Sequence, residues 1–247
     1  MSRPSRAPRP DPLPRALPTT AGGEATISVV IPVLNEAGLL ESALPHWHSL
    51  ERGGAELIVV DGGSSDGTAE RIRQQGFALV QAERGRARQM NAGAGHSSGA
   101  LLLFLHADTR LPMGALALVR QALSAGPGWG RFDVELSGGG ALLRLVAASM
   151  NLRSRLGGIA TGDQAIFLSR TCFDRVGGFP NQPLMEDVEL SARLRSLSAP
   201  VCLRARVVTS ARRWHRYGIV PTILTMWGLR LAYACGVPAQ ALARFYR

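Results

Sequence analysis

Acidic residues stand at three places where an apolar run gives way to small or polar residues. Asp61 ends the run in "LIVVDGGSSDG" (57–67), Asp108 follows the run in "LLLFLHADTR" (101–110), and Glu186 and Asp187 open "MEDVELSARLR" (185–195). A carboxylate at the end of a buried strand can accept hydrogen bonds from a base or a ribose, and Gly62 and Gly63 beside Asp61 let backbone approach a ligand closely. Simpler roles compete with these. Ser64, Ser65 and Asp66 have the chemistry of an N-cap for a helix beginning near Thr68, which accounts for Asp66 but lies too far downstream to account for Asp61. Glu186 and Asp187 fall in a helical first turn, where acids are favourable against the helix dipole.

The elements that must position these acids follow from periodicity. After a Pro/Arg-rich tail over 1–25, expected to be disordered, short aliphatic runs alternate with helical segments, the pattern of βαβ units around a mostly parallel sheet. Strands are expected at 27–33, 56–60, 77–81 and 101–105, with helices at 38–50, 67–75, 86–96 and 113–124. The second half is less regular: strands at 130–136, 164–170 and 201–208, and a helix from Glu186 whose Val188, Leu190, Leu194 and Leu197 share a face. In an open parallel sheet ligands bind outside the carboxyl ends of the strands, so Asp61 and Asp108 are expected at one edge.

Composition excludes several classes. A chain of 247 residues, 46% hydrophobic and 19% charged, suits one globular domain. All 28 basic residues are arginine, which removes Schiff-base chemistry and the lysine-containing P-loop. "IPVLNEAGLL" after the first strand lacks G-x-G-x-x-G, so hydride transfer loses its support. Cys172, Cys202 and Cys235 show no C-x-x-C spacing, which fits a reducing compartment. The N-terminal segment has no apolar stretch of a secretory signal.

Ten arginines and no Asp or Glu lie between Leu190 and Arg247, on a chain of net charge +10, and such a run attracts phosphates. The apolar segment 219–246 is interrupted by Pro221, Gly228 and Arg230, so a spanning helix is not expected. Either an interfacial amphipathic helix behind Arg212, Arg213 and Arg216 or a helix packed on the domain's own core fits it.

The stretches "SVVIPVLNEAGLLESAL", "ELIVVDGGSSDGT", "LLFLHADT", "VGGF" and "MEDVELSARLR", in this order, resemble the nucleotide-sugar-dependent glycosyltransferases of family 2, which have the GT-A fold. "RGRARQMNAGA", "TGDQAIF" and "TSARRW" resemble a bacterial subgroup without a settled substrate. The resemblance implies an α/β, Rossmann-like domain over 26–217 with a helical C-terminal extension over 218–247. It implies that Pro32, Glu36, Asp61 and Gly62 line the nucleoside site, with Arg84 or Arg86 reaching the nucleotide. Asp108 would be the acid of a D-x-D element that holds Mg²⁺ or Mn²⁺. Here the first acid of that element is His106, itself a candidate ligand, as is His215 from the C-terminal side.

The resemblance further places the catalytic base of an inverting transfer at Asp187, and Asp163 and Gln164 near the donor sugar or the acceptor. Arg213 and Trp214 would meet diphosphate and sugar, although Ser210 replaces the glutamine of the Q-x-x-R-W element. The implied partners are a nucleotide-sugar donor and an acceptor hydroxyl or phosphate, lipid-linked in one alternative, in a cytoplasmic protein with peripheral contact on the inner face of the cell membrane. A sugar nucleotidyltransferase would carry a glycine-rich loop and a lysine that this chain lacks. A nucleic-acid binder would set Asp61, Asp108 and Asp187 against phosphates, so no nucleic-acid partner is expected.

Overall fold

The apolar run Ile27–Val33 forms strand β1, flanked by β2 (Ala55–Asp61) and β4 (Leu101–Phe104), with β3 (Ala78–Gln81) outside β2, all parallel. The computed structural model describes residues 25–246 except Pro127; the expected disordered tail lies almost wholly outside the described residues. Helices α1 (Ala37–Arg52), α2 (Thr68–Gln74) and α3 (Arg86–His96) supply the crossovers.

Strand β1 is buried on both faces, so its side chains alternate between two cores. Ile27, Val29 and Ile31 pack with Leu40 and Trp47 of α1; Val30 packs with Val60 and with Met90 of α3. Helix α3 lies so close to the sheet that a Cβ on Gly93 would overlap Val30 and lie 2.8 Å from Val60 Cγ2.

Beyond β4 the sheet changes character. It continues through β7 (Phe167–Ser169), β6 (Trp129–Leu136), β8 (Val201–Thr209) and the short β5 (Thr109–Arg110), giving the order β3-β2-β1-β4-β7-β6-β8-β5. Only the β6–β8 pairing is parallel there; β4–β7, β7–β6 and β8–β5 are antiparallel. Helices α4 (Ala115–Ala122), α5 (Ala141–Gly157), α6 (Arg170–Arg175) and α7 (Glu186–Arg195) complete the domain, and α8 (Arg212–Tyr217), α9 (Ile219–Ala234) and α10 (Ala239–Ala243) form the C-terminal extension. This is the expected α/β architecture with helical extension.

Helix α5 is an addition to the sequence expectation. It is tied to β6 by Asn151, whose side chain accepts from the Val134 N–H at 2.8 Å and donates to the Val134 carbonyl at 2.9 Å, and by the Arg155–Asp133 ion pair at 2.7 Å. Helix α9 packs on it through Ile219 and Ile223, which join Leu143, Val146 and Ala147 in one apolar cluster. No helix among the described residues is long and apolar enough to cross a membrane.

Candidate active site

At the carboxyl ends of β1 and β2, Val33 lies in register with Asp61. Asp61 is buried, and its carboxylate accepts from the backbone N–H groups of Gly63 and Ser64 at 3.2 and 3.1 Å and from the Ser64 hydroxyl at 2.5 Å. The two strand-end loops are stitched together: Asn35 N–H donates to Ser64 Oγ, and Ser65 N–H donates to Asn35 Oδ1. Gln89 of α3 donates to the carbonyls of Val33 and Val60 from below, and a Cβ on Gly62 would lie 2.9 Å from its Cδ. Gly62 thus makes room for Gln89. The N-cap of α2 is Gly67 rather than the expected Asp66, which stands one residue earlier and accepts from the Thr68 N–H at 3.1 Å. Together these residues form a rigid shelf.

Beside the shelf opens a cavity of about 530 Å³, lined by Arg86, His106, Asp108, Asp163, Glu186 and Asp187 together with Arg213 and Trp214. Helix α7 begins after Met185, which adopts a left-handed conformation (φ 62°) and turns the chain so that the first helical residues face the cavity. One oxygen of Asp187 accepts from the N–H of Val188 in the first turn, and the other from the Gly162 N–H at 2.8 Å. Glu186 is buried and lies 3.4 Å from Arg86; burial first, and Asp187 second, push its carboxyl above the usual range.

Asp108 is likewise raised by burial, with Arg212 opposing the shift. Arg212 grips Glu36 with both terminal nitrogens, at 2.7 and 2.9 Å, and reaches Asp108 at 3.4 Å. Asp108 therefore already attracts positive charge. Burial lowers His106 to about 3, so it is neutral, and its Nε2 has no hydrogen-bond partner among the described residues. Gly162 abuts that ring; a Cβ there would lie 2.7 Å from His106 Cε1. Among the described residues no three His, Cys, Asp or Glu side chains converge into a ready-made metal cage. These donors fit a divalent cation only if ligand oxygens complete its shell, with Asp108 as the protein carboxylate and His106 the adjacent unpaired nitrogen.

Of the residues singled out in the sequence, Arg86, Asp108, Asp163, Asp187, Arg213 and Trp214 line this one cavity. Asp61 and Gly62 belong to the shelf, and Pro32 pairs with Val60 on it; Glu36 joins the two regions through Arg212. Arg84 is exposed and lines no part of the cavity. Gln164 is fully buried and closes the short 3₁₀ turn Gly162–Gln164, accepting from Thr161 N–H at 3.1 Å. His215 is exposed and faces Gly138, off the cavity lining.

Three arginines were not anticipated. Arg212 is the neighbour of the arginine the sequence favoured, Arg153 lies on the unanticipated helix α5, and Arg230 stood in the sequence as an interruption of an apolar run. For Arg212 and Arg230 the acid-free run of ten arginines from Leu190 onward was the available signal; Arg153 lies outside that run.

Comparison with known proteins identifies the family and the fold. The sequence profile of Glycosyl transferase family 2 matches residues 28–135. A Mycobacterium tuberculosis protein named as an uncharacterized glycosyltransferase is 32% identical over 193 residues, covering 72% of each chain. Among solved structures, residues 1–349 of Staphylococcus aureus TarS superpose with a TM-score of 0.60 at 18% identity, over 75% of this chain and 60% of that one. Glucosyl-3-phosphoglycerate synthase from Mycobacterium tuberculosis, in complex with Mn²⁺, uridine diphosphate and phosphoglyceric acid, gives 0.56 at 22% identity, over 87% and 80%. The fold is therefore that of GT-A glycosyltransferases, and the chain belongs to glycosyl transferase family 2 and is a glycosyltransferase.

Proposed function

We propose that this enzyme moves a sugar with inversion from a nucleoside diphosphate sugar to an acceptor hydroxyl, at or near a membrane surface on the cytoplasmic side. The observation that carries the reading is that Asp108 and Asp187, 79 residues apart in sequence, line one arginine-rich cavity beside the shelf at the carboxyl ends of β1 and β2. The base and ribose would lie on the shelf of Pro32, Glu36, Asp61 and Gly62. The diphosphate would lie over Arg86, Arg212 and Arg213.

Asp187, facing the cavity, takes the proton of the acceptor hydroxyl; the acceptor oxygen forms its bond to the anomeric carbon on the face opposite the diphosphate. The bond from that carbon to the diphosphate oxygen breaks, and its electron pair leaves with the diphosphate. Arg212, released from Glu36 and Asp108, would follow the diphosphate charge. A divalent cation, Mg²⁺ or Mn²⁺, would be held by Asp108 with His106 adjacent, and its chemistry is charge neutralisation of the leaving diphosphate. Mn²⁺ together with uridine diphosphate in the mycobacterial synthase supports this choice.

A thermal-shift series with UDP, GDP and their sugars, with and without Mn²⁺, tests the reading. Selective binding at 100 times Kd would stabilise the fold by about 2.7 kcal/mol. Absence of any nucleotide response, with or without the metal, would overturn it.

A further inference from the structure

Two features of the C-terminal half find no use in that reaction scheme. The first is a pair of arginines. Arg153 of α5 and Arg230 of α9 line the cavity, and neither forms an ion pair or a hydrogen bond with a described residue. Nη2 of Arg153 is buried without a partner. Burial first, and the nearby Arg230 second, pull the Arg153 guanidinium down to about 10; Asp163 and Asp187 oppose that fall without pairing. Two half-buried cations that repel each other are an anion site in waiting.

The second feature is apolar. Helix α5 turns Leu145, Leu152 and Leu156 to solvent, 64, 58 and 81% exposed, and α9 does the same with Leu224, Trp227 and Leu231, 64, 67 and 67% exposed. At 100° per residue the α5 leucines fall on the side of the helix next to cavity-lining Ser149 and Arg153. On α9 the stripe includes Trp227, which lines the cavity while mostly exposed. Each ridge therefore borders the cavity. Exposed apolar surface of this kind marks an interaction face, and the segment from Leu190 onward, which contributes α9, is free of acids and rich in arginine. That charge complements an anionic bilayer and repels a basic partner.

We propose that Arg153 and Arg230 bind the phosphate of a lipid-borne acceptor whose apolar chain lies along the α5 and α9 ridges, so that this face of the enzyme rests on an anionic bilayer. The proposal rests on the transferase reading above and names the class of its acceptor. The leucines are already in water, so their replacement by acid leaves the fold intact.

The test uses the full chain and vesicles of phosphatidylcholine with or without phosphatidylglycerol. Wild type should co-sediment with the anionic vesicles, and Leu145→Asp/Leu152→Asp and Leu224→Asp/Leu231→Asp should each lower partitioning about tenfold or more. In a second arm, dihexanoyl phosphatidic acid should bind at least about tenfold more tightly than inorganic phosphate, and Arg153→Gln/Arg230→Gln should remove most of that binding. Undiminished sedimentation of both ridge variants, or unchanged lipid-phosphate binding by the arginine variant, would overturn the proposal. A wild-type nucleotide thermal shift in every variant would confine that failure to the acceptor; a missing nucleotide response in the wild type would instead remove the transferase reading.

Discussion

On the shelf at the ends of β1 and β2 the acids have their oxygens engaged: Asp61 by Gly63 and Ser64, Asp66 by Thr68, Glu36 by Arg212. On α5 and α9, by contrast, Arg153 and Arg230 form no ion pair with a carboxylate among the described residues, and leucines face water. The first region holds its geometry by itself, because each polar group is satisfied by backbone or by a close neighbour. In the second, charge and apolar surface find no partner among the described residues. A ligand entering the shelf meets a preorganised surface, while one entering the α5–α9 side supplies what the protein leaves open. Divided labour between donor and acceptor would produce this asymmetry.

The comparison breaks most severely if the acid between the two regions is idle. Replacing Asp187 by Asn should lower kcat by about 10²- to 10⁴-fold while the nucleotide thermal shift stays as in wild type. The amide keeps an acceptor oxygen for the Gly162 N–H, gives up the second oxygen that accepts from the Val188 N–H, and loses the capacity to take a proton. Unaltered turnover in steady-state kinetics would remove Asp187 from the reaction.

Glycines sharpen the same contrast through stability. In the close-packed half, Gly93→Ala pushes a methyl into Val30 and Val60 and should destabilise the fold by about 1–3 kcal/mol, read from the midpoint of denaturant unfolding. In α9, Gly228 has nothing within 4 Å of its would-be Cβ, so Gly228→Ala should stabilise by up to about 1 kcal/mol, as for a solvent-facing helical position. Equal effects at the two sites would mean that the packing difference is smaller than the geometry says.

The same asymmetry governed how much was legible in the sequence. Strand β1 and helix α3 have the bounds that periodicity predicts, Ile27–Val33 and Arg86–His96, because sequence pattern and burial agree there. Helix α5 escaped detection: Gly138, Gly139 and Gly140 precede it, and its leucines lie on two faces, Leu143 in the core and Leu145, Leu152 and Leu156 in solvent, so no single apolar stripe stands out. The exposed leucines that obscured the helix are those that mark the proposed lipid face. Arg212 was missed for a different reason. Its neighbour Arg213 carried the motif resemblance, and only the placement of α8 against β1's loop shows which of the two reaches Glu36 and Asp108. For Gln164, position suggested ligand contact, whereas its burial commits the amide to a turn.

The smallest predicted effect is a pH dependence from Asp163. Burial, the largest influence, and then Asp187 raise its carboxyl, while the Thr161 hydroxyl, donating at 2.5 Å, and the two unpaired arginines Arg230 and Arg153 lower it; the net direction is upward. The native state therefore binds this proton more tightly than the unfolded chain, whose carboxyl titrates near about 3.9. Stability falls as pH rises from that value through the folded one, and above both the penalty is complete. Asp163→Asn keeps an acceptor for Thr161 and removes the penalty. Its melting temperature should match wild type near pH 3, exceed it increasingly through the acid range, and hold a constant lead at neutral pH. An anion seated on Arg153 and Arg230 would cancel their support of the Asp163 carboxylate. Added dihexanoyl phosphatidic acid should therefore widen the variant's lead at neutral pH, whereas an unchanged lead would mean that the arginines serve Asp163 rather than an incoming phosphate.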